Sequence, residues 1–499
     1  MSTTYRSTRS ADASQALSFE DVVMTGLAKD GGLFLPSQIP KVDAATLQRW
    51  SGLSFTELAF EVLRLYIDPK EISDADLKSL VDRLYSTFRA PEVTPIRKLT
   101  DDLYLLELFH GPTYAFKDVA LQFVGNLFEF FLTRANGDKT EGRQQITVVG
   151  ATSGDTGLAA IYGLRGKKDV LVFILYPTGR ISPIQEEQMT TVPDANVHTL
   201  SVKGTFDDCQ DIVKQIFGDA EFNSKYHVGA VNSINWARIL AQQTYYFYSY
   251  FQLLKQKPDA KVRFVVPLGN FGDILAGYYA TKMGLPADRL VIATNENDIL
   301  DRFMKSGRYE KNAEAGVKAT YSPAMDILIS LNFERLLWYL ARDSVAKGDD
   351  AAAGTVLNQW MDQLKLTGSV EVPQEVLAGA RTLFDSNRVD NTETVATIKQ
   401  IYDDHDYVID PHTAIGVKTS QKCAAAGDNA TYISLLTAHP AKFSEVVNKA
   451  LDLNPNYSFD RDVLPDELKA LASQEKRIKL IDEALVDKVK QAIIDELGH

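Results

Sequence analysis

The stretch Gln144–Pro177, with the sequence QQITVVGATSGDTGLAAIYGLRGKKDVLVFILYP, decides the fold class. Its two ends, QQITVVG and VLVFILYP, are continuous β-branched and apolar runs, which is the pattern of strands buried on both faces of a parallel sheet. The segment ATSGDTGLAAIYGLRG between them predicts a turn followed by a helix. A strand, a turn, a helix and a second strand in this order form the repeating unit of α/β proteins.

The same order of strand and helix recurs along most of the chain. NVHTLSVKG (196–204) and YHVGAVN (226–232) predict strands on either side of a helix at 206–217. VRFVVPLGNFGDILAGYYATKMG (262–284) and RLVIATNEND (289–298) repeat the pattern. We therefore predict an α/β protein with two parallel-sheet domains, an N-terminal segment and a helical insertion.

Three consecutive segments are predicted from these patterns. Residues 1–95 form the N-terminal segment, residues 96–260 a first α/β domain, and residues 261–499 a larger α/β domain. The insertion is expected at about 324–401, where the pattern becomes helical and more charged and shows no glycine-rich turn or strong strand. The late stretches YVIDPHTAIG and ATYISLLTAHP predict strands that return to the core, and the polar segment from Asp466 predicts an amphipathic helix.

The composition limits the function classes. The chain has 499 residues, of which 45% are hydrophobic and 24% charged, as is typical of a globular enzyme with more than one domain. A formal net charge of -13 argues against nucleic acid and anionic membranes as main partners. The apolar runs are too short to span a bilayer and the first residues lack a secretory apolar region, so the cytosol is expected. The two cysteines exclude a disulfide framework, and no metal site is expected.

A lysine stands at the start of a predicted buried helix. In HGPTYAFKDVAL (110–121), Lys117 precedes the run DVALQFVGNLFEFFL, whose apolar residues recur at helical spacing on nearly every side. The amino end of a helix favours negative charge, so a plain ammonium group is poorly placed there. Either Lys117 reaches water with its side chain, or its nitrogen is not a free ammonium.

Glycine-rich turns follow several of the predicted strands. In GATSGDTG (150–157) and PLGNFGD (267–273), backbone amides at the start of a helix would point at an anion. LLTAHPAKF (435–443) is a weaker third case. Each turn alone is equally typical of a tight α/β connection. Neither glycine-rich turn has the spacing of a dinucleotide or ATP signature.

The lysine and the turns together are what an enzyme with pyridoxal 5'-phosphate as cofactor needs. In such an enzyme a lysine amine forms an imine with the cofactor aldehyde, one turn binds the cofactor phosphate, and a second turn binds the substrate carboxylate. A free lysine with a pKa of about 10.4 is a poor nucleophile at neutral pH, and burial together with the imine removes that difficulty. The alternative is a structural lysine whose side chain reaches solvent.

Longer motifs resemble one family. HGPTYAFKD, VVGATSGDTG, PTGRISPIQEEQMTT, VNSINWARI, PLGNFGD and LLTAHPAKF, together with the N-terminal YRSTRS and GLAKDGGLFLP, closely resemble the longer, fungal-like threonine synthases. The resemblance extends from Tyr5 to about Phe443. It implies the pyridoxal phosphate fold of the tryptophan synthase β type. It also implies conversion of O-phospho-L-homoserine and water to L-threonine and phosphate.

The resemblance also assigns roles to individual residues. It makes Lys117 the residue that binds the cofactor covalently, and it places Thr437 at the pyridine nitrogen. It implies that the cofactor phosphate binds to Gly269, Asn270, Phe271, Gly272 and Asp273. It implies that the substrate carboxylate binds to Ser153, Asp155 and Thr156.

The residues that bind the substrate phosphate are left open by the motifs. Arg180, Arg238 and Lys442 are the candidate cations, and each is equally typical of a structural surface charge. Asn232 and Asn235 could bond the cofactor hydroxyl or the substrate phosphate. A phospho-lyase that forms 2-oxobutyrate, or a non-enzymatic protein that binds pyridoxal phosphate, would use the same scaffold. A monomer or small homo-oligomer is expected.

Overall fold

The computed structural model describes residues 3–12, 14–311, 316–427 and 429–497. The strands are β1 (Tyr5–Ser7), β2 (Phe34–Pro36), β3 (Ile96–Lys98), β4 (Leu103–Glu107), β5 (Ile146–Ala151), β6 (Val170–Pro177), β7 (Val197–Val202), β8 (Val228–Gly229), β9 (Val262–Pro267), β10 (Arg289–Thr294), β11 (Arg308–Glu310), β12 (Ser369–Glu371), β13 (Phe384–Arg388), β14 (Thr431–Leu436) and β15 (Lys479–Ile481).

The α-helices are α1 (Phe19–Thr25), α2 (Ala44–Trp50), α3 (Phe55–Arg64), α4 (Asp74–Tyr85), α5 (Asp118–Asn136), α6 (Asp155–Leu164), α7 (Pro183–Thr190), α8 (Phe206–Gly218), α9 (Ala220–Tyr226), α10 (Trp236–Gln256), α11 (Gly272–Met283), α12 (Ile299–Ser306), α13 (Phe333–Ser344), α14 (Asp350–Thr367), α15 (Gln374–Arg381), α16 (Asn391–His405), α17 (Pro411–Ala424), α18 (Ser444–Leu451), α19 (Phe459–Asp462), α20 (Asp466–Leu471) and α21 (Val486–Leu497). Short 3₁₀ turns lie at Pro323–Met325 and Pro440–Phe443.

The chain folds into two compact units, each built from two separate segments. The first unit contains Met1–Gly111 and Ser233–Tyr457, and the second contains Pro112–Asn232 and Ser458–His499. These units differ from the three consecutive segments predicted above. The N-terminal segment shares a unit with the middle of the chain, and the last residues return to the second unit because β15 pairs with β7.

The first unit is organised around a six-stranded sheet with the order β13-β10-β9-β14-β4-β3. Neighbouring strands are parallel except β3, which pairs with β4 in the antiparallel sense. The predicted strands β9, β10 and β14 lie at its centre and are almost wholly buried, as a sheet covered on both faces requires. Because the sheet is parallel there, their carboxyl ends meet at one edge.

The later part of the first unit departs from two predictions. The segment at about 324–401, expected to be a helical insertion, is mostly helical but also contains β12 and β13. The polar sequence FDSNR of β13 pairs with β10 in register from Leu290↔Phe384. Pairing with the sheet, rather than intrinsic strand preference, decides its conformation. The stretch YVID is not a strand, because the Asp410 side chain accepts hydrogen bonds from the amides of His412 and Thr413 and begins α17.

The second unit contains a five-stranded parallel sheet with the order β15-β7-β6-β5-β8. Its core combines β6 and β7 with α8 and with α21, whose Val489 and Ile493 are fully buried. The segment from Asp466 was predicted to be helical throughout, and this is wrong for β15. Because it is only three residues long, β15 has no pattern of its own, and its pairing with β7 makes it a strand.

Candidate active site

Lys117 lies at the amino end of α5, where the sequence predicted it. Its side chain is only 9% exposed, and α5 is buried along most of its length. The preceding turn is folded by Asp118, whose carboxylate accepts hydrogen bonds from the Thr113 amide at 2.8 Å and the Thr113 hydroxyl at 2.7 Å. Tyr114 adopts a positive φ of 61° in this turn. The turn therefore holds the lysine backbone firmly.

The helix that carries Lys117 is fixed by unusually close packing against α6. A Cβ atom on Gly125 would lie 1.9 Å from the carbonyl oxygen of Gly163, and one on Gly163 would lie 2.5 Å from the carbonyl oxygen of Leu121. Only glycine permits two helix backbones to approach so closely. The glycines in the two predicted helices therefore set the position of the α5 backbone near Lys117.

The GATSGDTG turn (150–157) connects β5 to α6 and is held by Thr152. The Thr152 hydroxyl donates to the carbonyl of Gly154 at 2.9 Å and accepts from the amides of Gly154 at 3.0 Å and Gly157 at 2.9 Å. Gly154 has a φ of 145°, which side-chain-bearing residues rarely adopt. The N-cap residue Gly154 has no side chain to cap α6, and Thr152 binds only the Gly157 amide, so the amino end of α6 is suited to an anion.

The three predicted substrate residues of this turn have different surroundings. Ser153 is exposed and Thr156 is half-buried, so both hydroxyls are accessible. Asp155 is buried, and its Oδ1 accepts a hydrogen bond from the side-chain Nε2 of Gln185 at 2.8 Å. A carboxylate at this position would repel a substrate carboxylate. Its contact indicates that Asp155 shapes the turn and the α6 amino end, whereas Ser153 and Thr156 can bind a ligand.

Two further candidates lie at the same edge of the second unit's sheet. Arg180 follows β6 and is exposed, and Asn232 follows β8 and is half-buried. Both strands are parallel neighbours of β5, so their carboxyl ends meet the GATSGDTG turn. The edge of this sheet is where α/β proteins bind ligands.

The GNFGD loop (269–273) connects β9 to α11 in the first unit. Phe271 has a positive φ of 62° and precedes a helix that no side chain caps. The carbonyl oxygen of Gly269 accepts from the Ser330 hydroxyl at 2.6 Å, and that of Asn270 accepts from the Asn332 side chain at 2.9 Å. A Cβ atom on Gly269 would lie 2.8 Å from the Ala324 carbonyl oxygen. The loop thus places backbone amides, and little else, at the amino end of α11.

Asp273 is buried in the first turn of α11, and its Oδ2 has no hydrogen-bond partner among the described residues. Its Oδ1 accepts hydrogen bonds from Tyr245 at 2.6 Å and Tyr246 at 2.8 Å, and both tyrosines lie on α10. Burial raises the pKa of Asp273 to about 6, and the two tyrosine hydroxyls offset part of that rise. The residue therefore anchors the first turn of α11 from within the unit.

Thr437 lies at the same sheet edge as the GNFGD loop. It follows the last residue of β14, which runs parallel to β9 with Thr431 opposite Val262. Continuing that register places Thr437 level with Leu268, directly before the loop. The side chain is 5% exposed. The first unit thus brings together the two motifs that the sequence predicted to bind opposite ends of one cofactor.

The remaining candidates of the first unit have distinct environments. Arg238 is 4% exposed, and its Nε and Nη1 atoms have no hydrogen-bond acceptor among the described residues, while burial lowers its pKa to about 10. Buried guanidinium nitrogens without acceptors are costly, which keeps Arg238 a candidate for binding an anion. Lys442 is fully buried. Asn235 instead caps α10 and donates to the Val23 carbonyl at 2.9 Å, which excludes it as a free ligand group.

The residues present fit a cofactor with an aldehyde and a phosphate. A buried lysine stands at a helix start, and the GNFGD loop leaves an uncapped helix end with backbone amides.

Sequence reasoning missed several residues that support these elements. Thr152 had a local signal, since it lies inside a turn that threonine often stabilises. Ser330, Asn332, Tyr245 and Gln185 had none, because each acts on a residue far away in sequence.

The described residues contain neither a candidate metal site nor a helix that could span a membrane. Among residues 3–12, 14–311, 316–427 and 429–497, no three His, Cys, Asp or Glu side chains form a group that could bind a metal ion. Within the same part of the chain, every helix is too short or too polar to cross a membrane.

Comparisons with known proteins agree along the whole chain. Family models described as threonine synthase N terminus, pyridoxal-phosphate dependent enzyme, and threonine synthase C-terminal match residues 4–85, 87–438 and 413–493. Threonine synthase of Saccharomyces cerevisiae is 63% identical over 506 residues, covering 99% of this chain and 98% of that protein.

Two solved structures are similar over their full lengths. The crystal structure of threonine synthase from yeast has a TM-score of 0.96 at 63% identity and covers 99% of both chains. The structure of threonine synthase from Brucella melitensis with bound pyridoxal phosphate has a TM-score of 0.89 at 40% identity, again covering 99% of both chains. The predicted α/β fold class is thereby confirmed.

Proposed function

The chain belongs to the threonine synthase family, and we propose that it converts O-phospho-L-homoserine and water to L-threonine and phosphate with pyridoxal 5'-phosphate as cofactor. The full-length likeness to Saccharomyces cerevisiae threonine synthase, 63% identical over 99% of this chain, carries the proposal. The N-terminal, central and C-terminal family matches occur in the expected order from residue 4 to residue 493. The predicted family, enzyme class and cofactor are confirmed on this basis.

The chain's own residues would bind the cofactor at three places. Lys117 is proposed as the covalent attachment point, and its low exposure at the amino end of α5 supports this. The amides of Gly269, Asn270, Phe271 and Gly272 are proposed to bind the phosphate. Thr437 is proposed to face the ring nitrogen. When bound, the cofactor withdraws electrons from the substrate α-carbon.

Asp273 receives a different role from the one that the family resemblance implied. A carboxylate cannot donate to a phosphate unless it is protonated, and its Oδ1 is already bonded to two tyrosines. We therefore infer that Asp273 supports the first turn of α11, while the amides before it make the contacts with phosphate.

The substrate carboxylate is proposed to bind at the amino end of α6. The exposed Ser153 and half-buried Thr156 hydroxyls can donate to it, and the amino end of α6 adds the favourable end of the helix dipole. Asp155 keeps the turn in place through Gln185. Binding there would orient the substrate without placing a fixed cation beside its carboxylate.

Proton transfer is proposed to rest on Lys117. The reaction removes one proton from the α-carbon and one from the β-carbon, and the γ carbon–oxygen bond breaks with its electron pair leaving on phosphate. One proton then returns to the γ-carbon and one to the α-carbon, while water supplies the hydroxyl at the β-carbon and its other proton goes to the released phosphate. A single amine placed near both carbons can carry a proton from one to the other.

The substrate phosphate needs cations and polar donors. Arg238 is the strongest candidate, because two of its guanidinium nitrogens lack acceptors among the described residues. Arg180 is exposed and can attract the dianion at longer range. Asn232 is proposed as a neutral donor to the same group. The cytosolic location and the monomeric or small homo-oligomeric state remain predictions.

Product analysis tests the proposal directly. Purified protein supplied with pyridoxal phosphate and O-phospho-L-homoserine should release threonine and phosphate in equal amounts. Release of 2-oxobutyrate and ammonia would instead identify a phospho-lyase. Lys117→Ala should abolish activity and the visible absorbance of the bound cofactor, whereas Lys139→Ala, which changes an exposed lysine near the end of α5, should preserve both. An active Lys117→Ala protein would contradict the assignment.

A further inference from the structure

The direction of the amides in the GNFGD loop (269–273) is decided by residues from elsewhere in the chain. The Gly269 carbonyl accepts from the Ser330 hydroxyl at 2.6 Å. The Asn270 carbonyl accepts from the Asn332 amide at 3.1 Å and from its side chain at 2.9 Å. In a trans peptide the carbonyl and the following N–H point in opposite directions. With their carbonyls held in this way, these two peptides turn the amides of Asn270 and Phe271 away from Ser330 and Asn332.

Asn332 is itself held in one orientation. Its Nδ2 atom also donates to the Ser233 carbonyl at 3.0 Å, and its Oδ1 accepts from Nη1 of Arg335. Since Oδ1 faces a guanidinium, the Nδ2 end must face the loop. Asn332 is 0% exposed, so no water competes for these bonds.

Arg335 links this asparagine to two other segments of the first unit. Its Nε atom donates to the Phe34 carbonyl at 2.7 Å, and its Nη2 atom donates to the Ile234 carbonyl at 2.7 Å. The side chain is fully buried, and burial lowers its pKa to about 10, which leaves it charged at neutral pH. Each of the three nitrogens of this planar guanidinium donates to a different acceptor, so Arg335 fixes the relative positions of all three. A lysine has a single nitrogen and lacks this planar arrangement.

The N-terminal motif YRSTRS attaches to the same turn of α13. The carboxylate of Glu334 accepts from the Thr8 hydroxyl at 2.6 Å and from Arg9 at 3.1 and 2.8 Å. Glu334 is 8% exposed. The first turn of α13 is thus held from outside by the N-terminal segment, while Asn332 contacts the loop on the inside.

We propose that Asn332 and Ser330 are positioning residues that give the GNFGD loop its selectivity for a phosphorylated cofactor, and that Arg335 and the YRSTRS segment hold them in place. The inference rests on the proposed role of this loop as the cofactor phosphate site. Pyridoxal carries the same ring and aldehyde as pyridoxal phosphate but lacks the phosphate. Its binding should therefore depend little on the direction of the loop amides.

This difference separates positioning from a purely structural role. Loss of a buried hydrogen bond anywhere in the first unit would lower stability and could weaken the binding of both aldehydes together. Only a change in the loop amides would weaken pyridoxal phosphate and spare pyridoxal. The ratio of the two dissociation constants is therefore the diagnostic quantity.

The experiment uses full-length protein freed of cofactor, with the wild type, Asn332→Ala, Ser330→Ala and Tyr339→Phe. Tyr339 is the matched control, because it is a buried residue of α13 whose hydroxyl donates to the Tyr279 hydroxyl at 3.2 Å, away from the loop. Binding of pyridoxal phosphate and of pyridoxal is titrated by absorbance, and the melting temperature is measured in parallel.

We expect Asn332→Ala to reduce the preference for pyridoxal phosphate over pyridoxal by about tenfold to a hundredfold, and Ser330→Ala by about tenfold. Tyr339→Phe should lower the melting temperature and leave the ratio unchanged. If Asn332→Ala does not fold, Ser330→Ala tests the proposal alone. This variant should fold, because the Ser330 backbone remains bonded to the Tyr309 hydroxyl.

Unchanged ratios in folded Asn332→Ala and Ser330→Ala would overturn the inference while leaving the proposed function intact. An equal change of the ratio in Tyr339→Phe would overturn it as well. A wild-type protein without any preference for pyridoxal phosphate would refute the phosphate role of the loop, and the inference with it. Failure of the wild type to form threonine would contradict the proposed function independently of these ratios.

Discussion

The GATSGDTG turn and the GNFGD loop both connect a strand to a helix, but different kinds of contact hold them in place. Both follow a buried parallel strand, and both lead into a helix that no side chain caps. The first is held mainly from within, by Thr152 acting on residues two and five positions later, and Gln185 adds one hydrogen bond to Asp155. The second is held by Ser330 and Asn332, which lie 61 and 62 positions from their partners. The first is specified mainly by local contacts and has one exposed hydroxyl, at Ser153, whereas the second is specified by distant residues and has no exposed residue.

The difference matches the time that each proposed ligand stays bound. A substrate must enter and a product must leave at every turnover, so its turn needs accessible hydroxyls such as Ser153. A cofactor remains through many turnovers, so its loop gains from rigid support on the inner side. We therefore expect changes at the loop to act on cofactor affinity and changes at the turn to act on KM.

The largest effect is expected for Gly272→Asp in the GNFGD loop. The new carboxylate would repel the cofactor phosphate in a partly buried site, so we expect the affinity for pyridoxal phosphate to fall more than about a hundredfold. Gly272→Ala is the control, since its Cβ would lie at an acceptable 3.4 Å from the Asn332 side chain and adds no charge. Wild-type cofactor affinity and stability in Gly272→Asp would show that this loop does not bind the phosphate.

The second largest effect is expected on the pH dependence of stability, which depends on the buried carboxyl group of Asp273. The pKa of Asp273 is about 6 in the folded protein, against an ordinary 3.8, so its contribution to stability is present below about pH 4 and is lost as pH rises through 6. That difference corresponds to about 3 kcal/mol.

Asp273→Asn should remove this pH dependence. We therefore expect the free energy of unfolding of the variant, relative to that of the wild type, to rise by up to about 3 kcal/mol between about pH 4 and pH 7. Denaturant titrations of cofactor-free protein measure this difference. Tyr246→Phe is the companion variant, because losing one donor to the carboxylate should extend the loss to higher pH. Parallel pH curves for the wild type and Asp273→Asn would contradict the buried charge.

A smaller effect is expected for Thr152→Val in the GATSGDTG turn. Valine keeps the shape of threonine but removes the hydroxyl that bonds Gly154 and Gly157. We expect KM for O-phospho-L-homoserine to rise about tenfold, with cofactor affinity unchanged. Thr152→Ser restores the hydroxyl and should restore KM. A parallel loss of cofactor affinity would remove the distinction between the turn and the loop.

The smallest effect is expected for Arg180→Ala at the edge of the second sheet. An exposed arginine contributes mainly through long-range attraction, so KM should rise only about threefold at low ionic strength and less at high salt. Lys214→Ala is the control, because Lys214 is exposed on α8 and pairs locally with Asp211. A salt-independent rise in KM would mean that Arg180 contacts the substrate directly.

The strands at the centre of both sheets were predictable because burial on two faces leaves continuous apolar runs. VLVFILYP and VRFVVP became β6 and β9 where the sequence placed them. The exceptions are edge strands. FDSNR and KLI carry no apolar pattern of their own, and they are strands because β10 and β7 offer them partners.

The candidate residues were predictable where one short motif contains both the reactive or anion-binding residues and the start of a helix. Lys117 and the two glycine-rich turns lie at helix starts, as expected from HGPTYAFKD, GATSGDTG and GNFGD. The supporting residues were not predictable. Asn332 and Arg335 belong to a segment without any distinctive motif, and their function depends on contacts with residues far away in sequence.

The placement of β15 and α21 also has a consequence for biosynthesis. Ribosomes make the chain from its amino end, so every residue of the first unit precedes the segment from Ser458 that completes the second unit. Until that segment emerges, β7 has a free edge and the apolar face of α8, including Ile212 and Ile216, has no α21 to cover it. The nascent second unit therefore exposes a template for aggregation late in synthesis, and chaperones that shield such surfaces would act on it during that interval.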